Sequence, residues 1–221
     1  MAGSLAGVCI GGIDYFFCTF AVNKKFMRRI ILVTGGQRSG KSTYAEELVL
    51  KLSGKEKSVY MATSRIWDEE FARRVQIHKE RRGPQWINIE EEKFLSNHNV
   101  AGKVVLIDCV TLWSTNFFFD RSMEDNLPDS GSQNTTMDAQ EAEQSVSLVE
   151  RTLQQIKGEF EKFTSQDATF VFVTNEIGLC GVSENKVQRQ FTDLLGWLNQ
   201  YIASKADEVV FMVSGIPMKI K

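Results

Sequence analysis

The chain has 221 residues, 43% hydrophobic and 24% charged, the balance of a globular protein with one substantial core or at most two small domains. A formal charge of −2 supplies no basic field, so nucleic acid is not an expected partner. The cysteines Cys9, Cys18, Cys109 and Cys180 show no C-x-x-C spacing, which argues against a zinc site or a disulfide framework and fits a reducing, cytoplasmic setting.

Leu5 to Val22 is fairly apolar, and Lys24, Lys25, Arg28 and Arg29 follow it. A secretory signal carries its positive charge ahead of the apolar stretch, so this order is wrong for one. Lysines after an apolar run would fit a membrane anchor, but Asp14 and several glycines interrupt it, and it lies at the short end of spanning length. Residues 1–28 are expected to be an appended extension or a misassigned start, with Met27 the natural beginning. An anchor and a structured extension are the competing readings. Residues 29–221 are expected to form a single domain.

Ile31 to Thr34 is a short β-branched strand that feeds Gly35-Gly36-Gln37-Arg38-Ser39-Gly40-Lys41-Ser42. This fits G-x-x-x-x-G-K-[ST], the phosphate-binding P-loop. Gly35 and Gly40 tolerate backbone angles that a Cβ forbids, so the loop can wrap a polyphosphate. Its N–H groups and the N-terminus of the next helix point at the anion. Lys41 is placed to reach the β- and γ-phosphates, and Ser42 to ligate Mg²⁺. A glycine-rich turn with a chance Gly-Lys-Ser is the bland alternative, disfavoured by the strand before it and the helix signal after it.

Tyr44 to Leu52 reads as a helix with Ala45, Leu48, Val49 and Leu52 on one side. Lys55 to Lys57 is a charged turn, and Val59 to Ala62 a buried strand ending in Thr63-Ser64. Asp68 to Arg82 is a charged helix ended by Gly83-Pro84, and Trp86 to Ile89 a further strand. Val104 to Asp108 is a strand with an acidic end, and Leu112 to Phe119 is helical. Asp120 to Gln140 is polar, with Pro128 and Gly131, and reads as a long surface loop. Glu141 to Phe163 is a helix, Ala168 to Thr174 a continuous apolar strand, Asn185 to Ser204 a helix, and Glu208 to Val213 a last strand before a short tail. No internal repeat is visible.

Apolar strands alternating with helices predict an α/β protein, a three-layer fold of the P-loop NTPase type with a mostly parallel central sheet. Ligands in such sheets bind beyond the carboxyl ends of the strands. That rule gathers the P-loop, Thr63-Ser64, Asp108 and Asn175-Glu176 on one rim.

The P-loop alone leaves kinases, GTPases, motor ATPases and nucleotidyltransferases open. Asp108 closes an apolar strand, as expected of the carboxylate that steadies Mg²⁺ or its waters; a plain strand-end turn is the alternative. A switch GTPase is disfavoured, because Thr174-Asn175-Glu176-Ile177 has no lysine or aspartate at N-K-x-D spacing. His78 alone would read as a solvated surface residue. Lys79, Arg81 and Arg82 follow it, a cluster suited to a polyphosphate, among which a neutral imidazole can attack phosphorus. A solvated helix face is the competing reading of that cluster. His98, in Ser96-Asn97-His98-Asn99, reads as a loop residue.

Taken together, ILVTGGQRSGKS at 31–42, VYMATS at 59–64, RVQIHKERRGPQW at 74–86, LIDCVT at 106–111, FVTNEIG at 172–178 and the tail VVFMVSGIPMKIK at 209–221 resemble the bifunctional adenosylcobinamide kinase/adenosylcobinamide-phosphate guanylyltransferases of cobalamin biosynthesis. The resemblance runs from Arg29 to Lys221, outside only the N-terminal stretch and the polar loop. It implies that ATP or GTP phosphorylates the aminopropanol hydroxyl of adenosylcobinamide. GTP then passes GMP to that phosphate, giving adenosylcobinamide-GDP and pyrophosphate. It implies a guanylylated histidine, which maps onto His78 because that residue directly precedes the K-x-x-R run. Nucleotide contacts map onto Gly35, Gly36, Gln37, Arg38, Ser39, Gly40, Lys41 and Ser42, onto Ala62, Thr63 and Ser64, onto Lys79, Glu80, Arg81 and Arg82, and onto Glu90 and Asp108. Mg²⁺ is the implied metal, with Ser42 and, through water, Asp108 as its ligands. Lys41 is implied in catalysis beside His78, and a homotrimer is the implied assembly. Some family members carry a second histidine where this chain has Ile77, and some a glutamate where it has Asp108. No base for the kinase step stands out. A single-activity P-loop small-molecule kinase, with His78 a surface residue, and a non-enzymatic nucleotide-binding module are the alternatives.

Overall fold

The structure is a computed structural model that describes residues 28–66, 69, 73, 76, 82–125, 137–179 and 181–221. Its elements are β1 (Arg29–Gly35), α1 (Lys41–Ser53), β2 (Ser58–Ala62), β3 (Trp86–Glu90), β4 (Val104–Asp108), α2 (Val110–Asp125), α3 (Met137–Thr164), β5 (Thr169–Val173), α4 (Lys186–Lys205), β6 (Glu208–Val213) and β7 (Ile216–Lys219). The predicted charged helix at 68–82 falls largely outside the described residues; within it Glu69, Arg73 and Gln76 are helical.

The strands form one sheet in the order β3-β2-β4-β5-β1-β6-β7. Every neighbouring pair is parallel except β6–β7. Strand alternation sends each strand's side chains to two cores. On one face Ile30, Leu32, Met61, Ile107, Phe170 and Phe172 pack with Trp113 and Phe117 of α2, Ile156 and Phe160 of α3, and Leu194, Leu198 and Ile202 of α4. On the other Ile31, Val33, Leu106, Val171 and Val210 pack with Ala45 and Val49 of α1. Helices therefore cover both faces, giving the three-layer α/β arrangement expected from the sequence.

Two expectations are corrected. The polar stretch 120–140 is not a loop throughout: α2 runs on through Asp125 and α3 starts at Met137. The polar residues that open this stretch are held on the helix by partners. Asp120 accepts two hydrogen bonds from Arg65 and one from Lys93, and Arg121 donates to Gln155. The stretch after Val213, expected as a short tail without a strand of its own, contains one. Ser214 (φ 51) and Gly215 (φ 85) make a two-residue hairpin turn, and β7 returns antiparallel along β6. Left-handed angles at both turn residues match the twist of paired strands, and Pro217 is tolerated because β7 is an edge strand.

The turns after β1, β2, β4 and β5 all open on the carboxyl end of the sheet. Among the described residues no helix is long and apolar enough to cross a membrane.

Candidate functional site

The loop after β1 is shaped by close approach. A Cβ on Gly35 would lie 2.5 Å from the Met212 carbonyl oxygen, and one on Gly40 3.3 Å from the Gly215 Cα. Gly40 (φ 90) is the residue before α1 and supplies no side-chain cap, so the first N–H groups of that helix are left for an anion. Backbone bonds prop the loop from two sides: Glu176 N–H donates to Gly35 O at 3.0 Å, and Gly215 N–H to Ser39 O at 3.0 Å.

Lys41 Nζ donates to Gly36 O at 2.6 Å, curled onto its own loop, and the side chain is only 7% exposed. Burial pulls its pKa below the usual lysine value, partly offset by Cys109 and Asp108. A desolvated ammonium of this kind gains most when a phosphate arrives. Ser39 Oγ is also buried there without a hydrogen-bond partner.

These groups line a cavity of about 380 Å³ together with Ser42, Asp108, Cys109, Val173 and Asn175. The opposite wall is knitted to the sheet. Thr63 donates from its hydroxyl to Cys109 O at 2.8 Å, and its N–H donates to Asp108 O at 3.3 Å. Asn116 Nδ2 donates to Thr63 O at 2.8 Å and to Glu92 O at 2.9 Å. Asn175 is fixed by donating twice to Thr111 Oγ1 and by accepting from Asn199 Nδ2 at its carbonyl. Asp108 accepts from the Tyr60 hydroxyl at 2.8 Å. Burial, then the charge of Asp108, pushes the Cys109 thiol up to about 12, so it packs the cavity rather than supplying a thiolate.

The sequence-predicted rim is thus largely assembled. Arg38, Ser39, Gly40, Lys41, Ser42 and Asp108 share the cavity, and Thr63 is bonded to its wall. Ala62 pairs with Asp108 on one side and Glu90 on the other, which places Glu90 one strand further out, on the exposed edge. Arg82 stacks on the Tyr60 ring, 3.5 Å from its centroid. His78, Lys79, Glu80 and Arg81 lie outside the described residues. His98 ends a short 3₁₀ turn, with its Nε2 3.3 Å from Glu91, as a loop residue would be. Tyr60 and Thr111 lie in quoted stretches but were given no role, and Asn116 and Asn199 lie in none; each is recruited by partners distant in sequence.

The donor set suits Mg²⁺. It offers a hydroxyl and a carboxylate beside a phosphate cradle, hard oxygens of the sort that hold this ion together with waters and substrate oxygens. Among the described residues no cluster of three or more His, Cys, Asp or Glu forms an all-protein metal cage.

The family model "Cobinamide kinase / cobinamide phosphate guanyltransferase" matches residues 31–220. The chain is 38% identical to the bifunctional adenosylcobalamin biosynthesis protein CobU of Escherichia coli, over 87% of this chain and 99% of that protein. It is 36% identical to the protein of the same name from Salmonella typhimurium, over 87% of this chain and 99% of that one. It is 34% identical to the bifunctional adenosylcobalamin biosynthesis protein CobP of Pseudomonas aeruginosa, over 86% and 96%. With a P-loop cavity at the sheet's carboxyl edge and matches nearly end to end, the chain belongs to the cobinamide kinase/cobinamide phosphate guanyltransferase family.

Proposed function

We propose that this chain catalyses two successive reactions: phosphorylation of adenosylcobinamide by ATP or GTP, and transfer of GMP from GTP to adenosylcobinamide phosphate. The observation that carries the reading is the P-loop cavity, where a buried ammonium, the unpartnered Ser39 hydroxyl and a carboxylate converge in a chain of this family. In the first reaction the substrate hydroxyl oxygen attacks the γ-phosphorus and the nucleoside diphosphate leaves. Lys41 and the α1 N-terminus stabilise the charge spreading over the phosphoryl oxygens. In the second, an imidazole nitrogen of His78 attacks the α-phosphorus of GTP and pyrophosphate departs. A phosphate oxygen of adenosylcobinamide phosphate then attacks the same phosphorus, the P–N bond breaks, and His78 is restored. Lys79, Arg81 and Arg82 would hold the pyrophosphate charge. Ser42 and, through water, Asp108 would hold Mg²⁺, which would supply charge neutralisation at the phosphates when bound. We place the activity in the cytoplasm, in residues 29–221, and in a homotrimer.

The test is incubation with α-labelled GTP and Mg²⁺ followed by denaturation. Acid-labile, base-stable label on the wild type, absent from His78→Ala, is expected. Label retained in His78→Ala removes the histidine assignment. No covalent label, with γ-phosphoryl transfer intact, would leave a single-activity small-molecule kinase. Tight nucleotide binding with no turnover would leave a binding module.

A further inference from the structure

Tyr60 is a β2 residue to which the sequence assigned no role, yet it touches both halves of the site. It is 4% exposed. Tyr60 pairs with Leu106 across the parallel ladder, two residues before Asp108, so the ring and the carboxylate are diagonal neighbours on one sheet face. The hydroxyl donates to Asp108 Oδ2 at 2.8 Å. The Arg82 guanidinium lies over the ring, 3.5 Å from its centroid. Trp86 fixes the ring from a third direction, edge to face, with centroids 5.8 Å apart and planes at 83°. Burial and the neighbouring Asp108 push the phenol well above the usual tyrosine range, so it stays a donor across the working pH range.

We propose that Tyr60 is a positioning residue that ties the Asp108 carboxylate, on the metal side of the cavity, to the Arg82 guanidinium, at the end of the basic run, through one immobile ring. The hydroxyl uses one carboxylate oxygen and fixes the plane of the other. Without it, Asp108 is free to turn away from Ser42, with which it lines the metal side of the cavity. The ring face separately sets where Arg82 meets the triphosphate. The inference rests on the triphosphate occupying this cavity but does not depend on GMP transfer taking place.

The two contacts separate by substitution. Tyr60→Phe keeps the ring under Arg82 and deletes the hydroxyl; Tyr60→Leu deletes both. GTP binding to the full-length chain is measured by calorimetry, first with EDTA and then across a Mg²⁺ titration. For Tyr60→Phe the half-saturating Mg²⁺ is expected to rise about tenfold, the size typical of losing a group that orients a metal-side ligand. Metal-free GTP affinity should stay at the wild-type value. For Tyr60→Leu metal-free GTP affinity should also fall about threefold to tenfold, as the cation loses its ring. In an Asp108→Asn background, Tyr60→Phe should add nothing, because the group it positions is gone. An unchanged Mg²⁺ midpoint in Tyr60→Phe, or a further shift in the Asp108→Asn background, overturns the carboxylate half. Equal metal-free affinity in Tyr60→Leu and Tyr60→Phe overturns the arginine half. If Tyr60→Leu does not fold, the Tyr60→Phe and Asp108→Asn pair still decides the carboxylate half. Failure of α-label to appear on wild-type protein that still binds GTP with Mg²⁺ would overturn the two-step function alone.

Discussion

Lys41 shows what the P-loop motif encodes at the level of one side chain. The motif places an ammonium; the fold buries it against a loop carbonyl and keeps its hydration away. Lys41→Ala is expected to lower kcat/KM for both proposed reactions by about a hundredfold or more, the scale seen when one preorganised donor is lost from a transition state. Steady-state kinetics of each reaction checks it. The pH dependence follows from the lowered pKa, caused first by burial. Phosphate binding needs the protonated ammonium, so nucleotide affinity should decline as pH rises, beginning below the range of an exposed lysine. GTP affinity measured from pH 7 to pH 10 reads this directly. The residues that hold Asn175 and Thr63 in place were not legible beforehand. Thr111 closes a quoted stretch but nothing in it says what the residue holds, and Asn116 and Asn199 are ordinary helix residues until the sheet brings strand ends beside them.

At the scale of elements, periodicity located most of the strands and helices, because both faces of the sheet are covered and the strands read as unbroken apolar runs. It failed where polar residues had partners elsewhere. Asp120 shows this. Its carboxylate is held down to about 2, first by hydrogen bonds from Arg65, opposed by partial burial, and then by Lys93. Arg65 follows Thr63 and Ser64 directly, so the pair ties the turn after β2 to α2. The folded pKa lies below the unfolded one. The stabilisation is therefore present above about pH 4 and lost as pH falls toward 2. Asp120→Asn is expected to cost on the order of 1–2 kcal/mol at pH 7 after allowance for solvent screening, with the difference from wild type closing near pH 2. Denaturant unfolding at both pH values checks it. The hairpin turn was missed for a related reason: Val213-Ser214-Gly215-Ile216 is short, and its meaning lies in the P-loop it touches. Gly215→Val puts a β-branched residue at φ 85 and should destabilise by about 1–3 kcal/mol. It should also weaken GTP binding, because the Gly215–Ser39 bond props the loop. Thermal melts with and without GTP separate the two effects.

For the whole molecule, the domain proposed at residues 29–221 contains, among the described residues, every strand of the sheet and both cores. Deleting residues 1–26 is expected to leave both activities and the thermal midpoint unchanged; loss of folding on that deletion would make the N-terminal stretch structural. The sequence by itself determined the layer architecture, the phosphate cradle and the family. Those rest on local patterns: glycines where the backbone must turn left-handed or pass close by, an ammonium one residue after the last of them, and apolar runs of strand length. Tertiary structure alone decided which polar residues serve the cradle. Tyr60 meets Asp108 across 48 positions and Arg65 meets Asp120 across 55, because the parallel order β2-β4-β5-β1 lays distant strand ends side by side. A hydrogen bond between groups so far apart in the chain leaves no periodic trace in it. Only the register of the sheet brings them within reach.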